Sequence, residues 1–302
     1  MTERRRTDPL PLGGDGEPYS KGLMARALIR VGVPPSRAYE LARRIEQDLT
    51  ERGEAAVDLD RVQELADQML EDVDVGLAVG RLRRFQELDE LDMPIIVLIG
   101  GATGTGKSTV ATEVAYRLGI TRVTSTDFVR QTMRAFFSPD FMPSIHHSSF
   151  DAGTPLHSAE QEEVDPLLHG FLDQTRHVLV GVKASIDRAL EEGWSMVLEG
   201  VHLVPGMLPP IENALVVQCV VVIESEDTHA SHFWIRDLAS DGMRRLDKYL
   251  DRLSDIRYLQ DYIVERAGRE GVPVIDNRQR EQAIRAVMEL VLSAADRLQR
   301  IT

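Results

Sequence analysis

The stretch Ile95-Ile-Val-Leu-Ile-Gly-Gly-Ala-Thr-Gly-Thr-Gly-Lys-Ser-Thr-Val-Ala111 decides the fold. Ile95 to Ile99 is a short, unbroken apolar run, as a strand buried on both faces requires. Pro94 stands at its entrance, where a missing N–H does least harm. Gly101-Ala102-Thr103-Gly104-Thr105-Gly106-Lys107-Ser108 then matches the phosphate-loop pattern at every fixed position, with Thr109 following. Glycines let successive backbone N–H groups turn inward around phosphate oxygens, where a Cβ would block the approach. Lys107 brings a point charge to the β- and γ-phosphates, and the Ser108 hydroxyl is placed to ligate Mg²⁺. The helix that follows carries Val110, Val114, Ala115 and Leu118 on one face and stops at Gly119, with its positive end aimed at the same anion. Residues 101–109 are therefore the expected cradle for ATP.

Working outward, further short apolar runs alternate with helical patterns. Strands are expected at Ile120–Ser125, Met196–Gly200 and Leu215–Glu224, with a short fifth strand and turn over Gly271–Asn277. Helices are expected at Phe128–Phe137, Ser158–Glu192 (with Ser158 and Gln161 as a capping box), Asp227–Leu238, Leu246–Gly268 and Arg278–Arg300. Strands that alternate with helices require a parallel sheet with right-handed crossovers. The expected fold class is α/β: a P-loop NTPase-type parallel sheet of about five strands flanked by helices, plus a small N-terminal helical domain. The expected organisation is a disordered tail over 1–18, a helical domain over 19–75, a linker helix over 76–93 and a P-loop kinase domain over 94–302.

Three further segments place chemistry beside the loop. The second strand is expected to end in Asp127, at the carboxyl end where ligands of parallel sheets gather, and the carboxylate is placed to accept or orient a hydroxyl proton. Arg130 and Arg134 lie four residues apart on one helix face and suit a phosphate or carboxylate; solvated arginines and a capping aspartate are the structural alternative. The loop His146-His147-Ser148-Ser149 offers imidazoles and hydroxyls to the same anion. Glu199 closes the third apolar run, where an acidic residue meets Mg²⁺. Arg236 and Arg244, with Arg245, are candidates for a lid over the transferring phosphoryl group; surface ion pairs with Asp237, Asp241 and Asp247 are the alternative. His229 and His232 share a helix face without a third metal ligand, which favours packing or substrate contact.

Composition limits the possible functions. The chain has 302 residues and a formal charge of −14, which disfavours coating nucleic acid or an anionic membrane but not binding a small anionic metabolite. A single cysteine, Cys219, excludes an intrachain disulfide framework and reads as a small buried hydrophobe. No apolar stretch is long enough to cross a bilayer, and Met1–Leu12 lacks the apolar segment of a signal peptide. Cytoplasm is the expected location, and a homo-oligomer stays open.

The segments Gly100-Gly-Ala-Thr-Gly-Thr-Gly-Lys-Ser-Thr109, Thr124-Ser-Thr-Asp127-Phe-Val-Arg130, His146-His-Ser-Ser-Phe150, Leu198-Glu199-Gly-Val-His202-Leu-Val-Pro-Gly206 and His229-Ala-Ser-His232-Phe-Trp-Ile-Arg236 together resemble the 2-phosphoglycerate kinases, a group of phosphate-loop metabolite kinases. Ile256-Arg257-Tyr-Leu-Gln260 and Val272-Pro-Val-Ile-Asp-Asn277 extend the likeness over most of the chain. Tyr19-Ser-Lys-Gly-Leu-Met and Ala38-Tyr-Glu-Leu-Ala-Arg-Arg look like an ATP-cone, a regulatory nucleotide module, although a helical cap without nucleotide fits the same residues. The resemblance implies ATP- and Mg²⁺-dependent phosphorylation of 2-phosphoglycerate to 2,3-bisphosphoglycerate. A kinase of another small acid or alcohol, and a nucleotide-gated binding protein, remain as alternatives.

Overall fold

All six residues of Ile95–Gly100 are buried and form β1, the middle strand of a five-stranded sheet. The computed structural model describes residues 19–69, 80–85, 87–88, 91–154, 165–239 and 246–300. The expected tail over 1–18 and the lid residues Arg244 and Arg245 lie outside these residues, as do the side chain of Arg236 and part of the expected 76–93 linker.

The chain divides into two compact units: residues 1–92 with 116–119 and 292–302, and residues 93–115 with 120–291. In the first, α1 (Lys21–Arg30), α2 (Pro35–Arg52) and α3 (Leu59–Met69) bury Met24, Leu28, Leu41, Ile45, Val62 and Leu65. Ser20 caps α1 by accepting from Leu23 N–H, and Gly53 ends α2 in the left-handed conformation that glycine adopts without strain. Arg61 reaches Asp48 with two nitrogens, at 2.5 and 3.1 Å, and these hydrogen bonds hold the buried carboxyl below its usual range.

The second unit holds β1, then most of α4 (Lys107–Arg117), β2 (Val123–Ser125), α5 (Thr126–Phe136), α6 (Pro166–Glu191), β3 (Met196–Gly200), β4 (Leu215–Val222), α7 (Glu226–Ala239), α8 (Leu246–Leu250), α9 (Leu253–Glu270), β5 (Val274–Asp276) and the first part of α10 (Arg280–Gln299), whose residues from 292 on belong to the first unit. The strand order is β2-β3-β1-β4-β5, and every pair is parallel. Parallel strands need crossovers, and the crossover helices cover both faces. Ile96, Leu98, Val129, Val178, Val182 and Leu198 pack together, and Val220, Val222, Phe171, Phe233, Ile256 and Ile263 form a second cluster farther along the same face, since Gly100 pairs with Val220 as Leu98 pairs with Leu198.

Register brings the carboxyl ends of the central strands level. Ile99 pairs with Glu199, and Ser125 pairs with the same Glu199 from the other side. From β1 the chain runs to one side of the sheet, and after β3 it crosses to the other, so the ends of β1 and β3 border the crevice where such sheets bind ligands.

Three expectations need correction. The helix expected from Ser158 is described only from Pro166, with Asp165 as its cap through bonds from the N–H groups of Leu167 and Leu168; the expected capping box lies outside the described residues. Asp127 does not end a strand but sits in the first turn of α5, because Ser125 accepts from Phe128 N–H and starts the helix earlier. The helix expected over Leu246–Gly268 is two helices. Lys248 and Arg252, on either side of the break, each lie 3.3 Å from an Asp151 oxygen.

Candidate active site

The loop after β1 has the geometry its glycines predict. Gly101, Gly104 and Gly106 have φ of +143°, +89° and +78°, where a side chain is strained. A Cβ on Gly104 would also overlap the ring of Phe233 and lie 2.9 Å from Nε2 of His229. α4 starts at Lys107, so the free N–H groups of its first turn and its positive dipole end lie at the loop. Lys107 Nζ rests 3.1 Å from the Ala102 carbonyl, a neutral acceptor that leaves the ammonium charge uncompensated by that contact.

Ser108 and Glu199, picked from the sequence as separate metal candidates, meet: the Ser108 hydroxyl donates to Glu199 Oε1 at 3.0 Å. The sheet register accounts for this, since Glu199 stands beside the last residues of β1. A hydroxyl and a buried carboxylate at the mouth of a phosphate loop are hard oxygen donors, the set that Mg²⁺ prefers when phosphate completes its shell.

Asp127 lies on the neighbouring edge with its side chain 69% exposed and 3.3 Å from Arg130 Nε. Desolvation pushes its carboxyl up, but interaction with His202, Arg130 and Lys107 outweighs this and holds the acid below its usual range. The Lys107 contribution ties Asp127 electrostatically to the phosphate loop. Since it is open to water, the attraction is screened, yet the carboxylate is ionised at neutral pH.

Behind Asp127 lies a buried network that sequence reading missed. His202 has no solvent exposure; its Nδ1 is 2.8 Å from Thr126 Oγ1 and its Nε2 is 2.9 Å from Gln174 Oε1. Gln174 Nε2 donates to the carbonyls of Ser144 and His147, at 2.5 and 3.1 Å, so its oxygen faces His202. His202 therefore donates through Nε2 and accepts the Thr126 hydroxyl at Nδ1, the neutral tautomer. Burial pushes this imidazole down to about 3, with Asp127 opposing. The attraction on Asp127 thus comes from Arg130 and Lys107 near neutrality. Gln174 carries no sequence signal, lying mid-helix; His202 stands out only by its place two residues past Gly200.

The network also orders the His146–Ser149 loop, which forms two short 3₁₀ turns, Pro143–His146 and Ser149–Asp151. Arg130 Nη1 donates to the carbonyls of Ile145 and His147, at 2.9 and 2.8 Å. His146 Nε2 donates to Phe137 O at 2.9 Å, Ser148 Oγ accepts from Lys248 at 3.1 Å, and Ser149 is buried. Arg134 donates to Gln131 at 3.1 Å, while its buried Nε has no hydrogen-bond partner among the described residues. The structure brings together the loop residues 101–109, Glu199, Asp127 and Arg130, and gives the His146 loop a scaffold role that sequence alone did not suggest.

The buried neutral histidine has a consequence for stability. The folded value of about 3 is below the ordinary 6.5, so the unfolded chain takes up the proton first. His202 thus contributes stability that is fully present above pH 6.5 and lost as pH falls toward 3. His229, pushed by burial to about 4, adds the same sign. Urea unfolding is expected to show a loss of roughly 2 kcal/mol per histidine between pH 6.5 and pH 5. Asp127 and Asp48, whose carboxyls are held below the ordinary aspartate value of 3.8, contribute little in that window. A flat profile over that range would show that protons reach His202 within the fold.

No protein-family model matches the chain. Curated relatives do. A protein from Methanothermobacter thermautotrophicus named 2-phosphoglycerate kinase is 38% identical over 265 residues, covering 86% of each chain. One of the same name from Thermococcus kodakarensis is 35% identical over 271 residues, covering 90% of this chain and 91% of its own. Another from Methanopyrus kandleri is 34% identical over 278 residues, covering 91% of this chain and 84% of its own. Among solved structures, a shikimate kinase from Bacteroides thetaiotaomicron aligns at 16% identity with a TM-score of 0.30, covering 68% of this chain and 97% of that one, which is too distant to carry an argument. By this identity over 86 to 91% of its length, the chain belongs to the 2-phosphoglycerate kinase family.

Proposed function

We propose that this protein transfers the γ-phosphoryl group of ATP to the free hydroxyl of 2-phosphoglycerate, giving 2,3-bisphosphoglycerate and ADP. The observation that carries this is the pairing of Ser108 with Glu199 at 3.0 Å inside a glycine cradle, with an ionised carboxylate, Asp127, electrostatically coupled to Lys107. The first half suits a nucleotide triphosphate; the second suits an acceptor hydroxyl.

In this reading the amides of residues 101–109 and the Lys107 ammonium hold the β- and γ-phosphates. Ser108 and Glu199 hold Mg²⁺, which when bound offsets phosphate charge. Asp127 accepts the acceptor's hydroxyl proton as its oxygen attacks the γ-phosphorus and the bond from that phosphorus to the β-phosphate oxygen breaks. The substrate's own phosphate and carboxylate meet cationic and N–H donors. Arg134 supports this with a buried Nε that has no other hydrogen-bond partner among the described residues, and Arg130 holds the loop of His146, His147, Ser148 and Ser149 in place beside them. Arg236 and Arg244 are the lid guanidiniums of this reading. A metabolite and ATP as co-substrates fit a cytoplasmic location; no helix among the described residues is long and apolar enough to cross a membrane.

The test is a coupled ADP-release assay with ATP and Mg²⁺ against 2-phosphoglycerate, 3-phosphoglycerate and glycerate. Turnover of 2-phosphoglycerate is expected to exceed that of either other acceptor by at least about a hundredfold in kcat/KM, since a site built around a second anion leaves its donors unpaired when that anion is missing or misplaced. Equal rates on all three would remove the assignment of acceptor; no turnover on any would remove the kinase reading.

A further inference from the structure

The outward side of the phosphate loop plays no part in the reaction as described above. Amides can turn inward around an anion only if the carbonyls between them turn outward, and here those carbonyls face protein. Four in succession meet a side-chain donor. Ala102 O accepts from Lys107 Nζ and Thr105 Oγ1, both at 3.1 Å. Thr103 O accepts from His229 Nε2 at 2.8 Å, Gly104 O from His232 Nδ1 at 3.1 Å, and Thr105 O from Asn277 Nδ2 at 2.9 Å. His229 and His232 lie one turn apart on α7; Asn277 directly follows β5 and donates its own N–H to Val222 O at 2.9 Å.

We propose that His229, His232 and Asn277 are positioning residues for phosphoryl transfer, a brace of three donors that holds the loop carbonyls outward and so keeps its amides aimed at the nucleotide phosphates. This rests on the reading of residues 101–109 as the ATP cradle. The argument is one of selective satisfaction. His229 donates through Nε2, so Nδ1 is an acceptor, and that atom is buried with no hydrogen-bond partner among the described residues. Asn277 Oδ1 is in the same position. Both side chains leave their acceptor end unsatisfied while their donor end goes to the loop. A residue present only for packing would not carry that penalty, since an apolar side chain would fill the space without it. The ring of His229 is held in its orientation by stacking on Phe233, at 5.3 Å and 15°, and Phe233 stacks in turn on Tyr249 at 5.0 Å. The glycines fit the same arrangement: a Cβ on Gly104 would meet Phe233 and His229, and one on Gly106 would meet Asn277 Nδ2.

The test compares variants that keep the donor with variants that remove it, in the full chain with Mg²⁺-ATP and 2-phosphoglycerate. His232→Asn and His229→Gln place an amide N–H near the lost ring N–H; His232→Leu and His229→Met do not. The donor-lacking variants are expected to lower kcat/KM for ATP by about tenfold or more each, with KM for the acceptor unchanged, and the donor-keeping ones to stay within about threefold of the parent. Donor-lacking variants within threefold of the parent would overturn the proposal, as would donor-keeping variants that fall equally far, since the loss would then come from packing. His232 is only half-buried, so its pair decides the matter if His229→Met does not fold. ATP binding to the parent protein, measured by calorimetry, separates this from the underlying reading: a parent that binds no ATP refutes the cradle itself.

Discussion

Lys107→Ala is expected to lower kcat/KM by at least about a thousandfold while leaving the thermal unfolding midpoint nearly unchanged. The ammonium's contact is with a main-chain carbonyl of its own loop, at 3.1 Å, so its removal exposes little and unpairs no buried charge. Its proposed role appears only when phosphates fill the cradle and charge builds on the transferring group. Arginine should not rescue it, because a planar fork cannot take the place of a compact point charge in so tight a turn. Steady-state kinetics with circular dichroism as the folding control decides this. Activity within tenfold of the parent would mean that residues 101–109 bind something other than the reacting triphosphate.

Asp127→Asn is expected to lower kcat by about a hundred- to ten-thousandfold with KM for ATP held within a few-fold. The amide keeps the size and the hydrogen-bonding reach but cannot take a proton. Folding should tolerate it, since the side chain is exposed and its ion pair with Arg130 is a surface contact on the aspartate side. The pH dependence is part of the prediction. Because the carboxyl is held below its usual range, the acid limb of the parent's kcat/KM profile should not reflect Asp127 anywhere near neutrality. A change confined to KM for the acceptor would make Asp127 a binding residue and move the proton's destination elsewhere.

The sequence made the nucleotide half of the site legible because that half is local. Residues 95–118 hold strand, loop and helix in one continuous run, and the backbone demands of that turn leave few choices at Gly101, Gly104 and Gly106. The proposed acceptor half was legible in part. Asp127 and Arg130 stood out by position, but the second role of Arg130, gripping the carbonyls of Ile145 and His147, depends on a loop that folds back 15 and 17 residues later. Similarly, the break between α8 and α9 was invisible in a continuous helical pattern.

What the chain determined by itself was its class: an α/β sheet, a glycine loop of phosphate-binding pattern at the end of a buried apolar strand, and an acidic residue closing the third apolar run. Only the tertiary structure decided that β3 slides between β1 and β2, which brings Glu199 to Ser108 across 91 residues. It also decided that His202, Gln174 and Thr126 form one buried network under Asp127, and that His229, His232 and Asn277 converge on the back of the loop from 126, 128 and 172 residues away. The physical reason is the range of the forces involved. Apolar periodicity and backbone strain act over neighbouring residues and leave a mark in the local sequence. A hydrogen bond between side chains exists only where packing has already set the distance, and a lone histidine or glutamine in a helix does not reveal which distant carbonyl will need it.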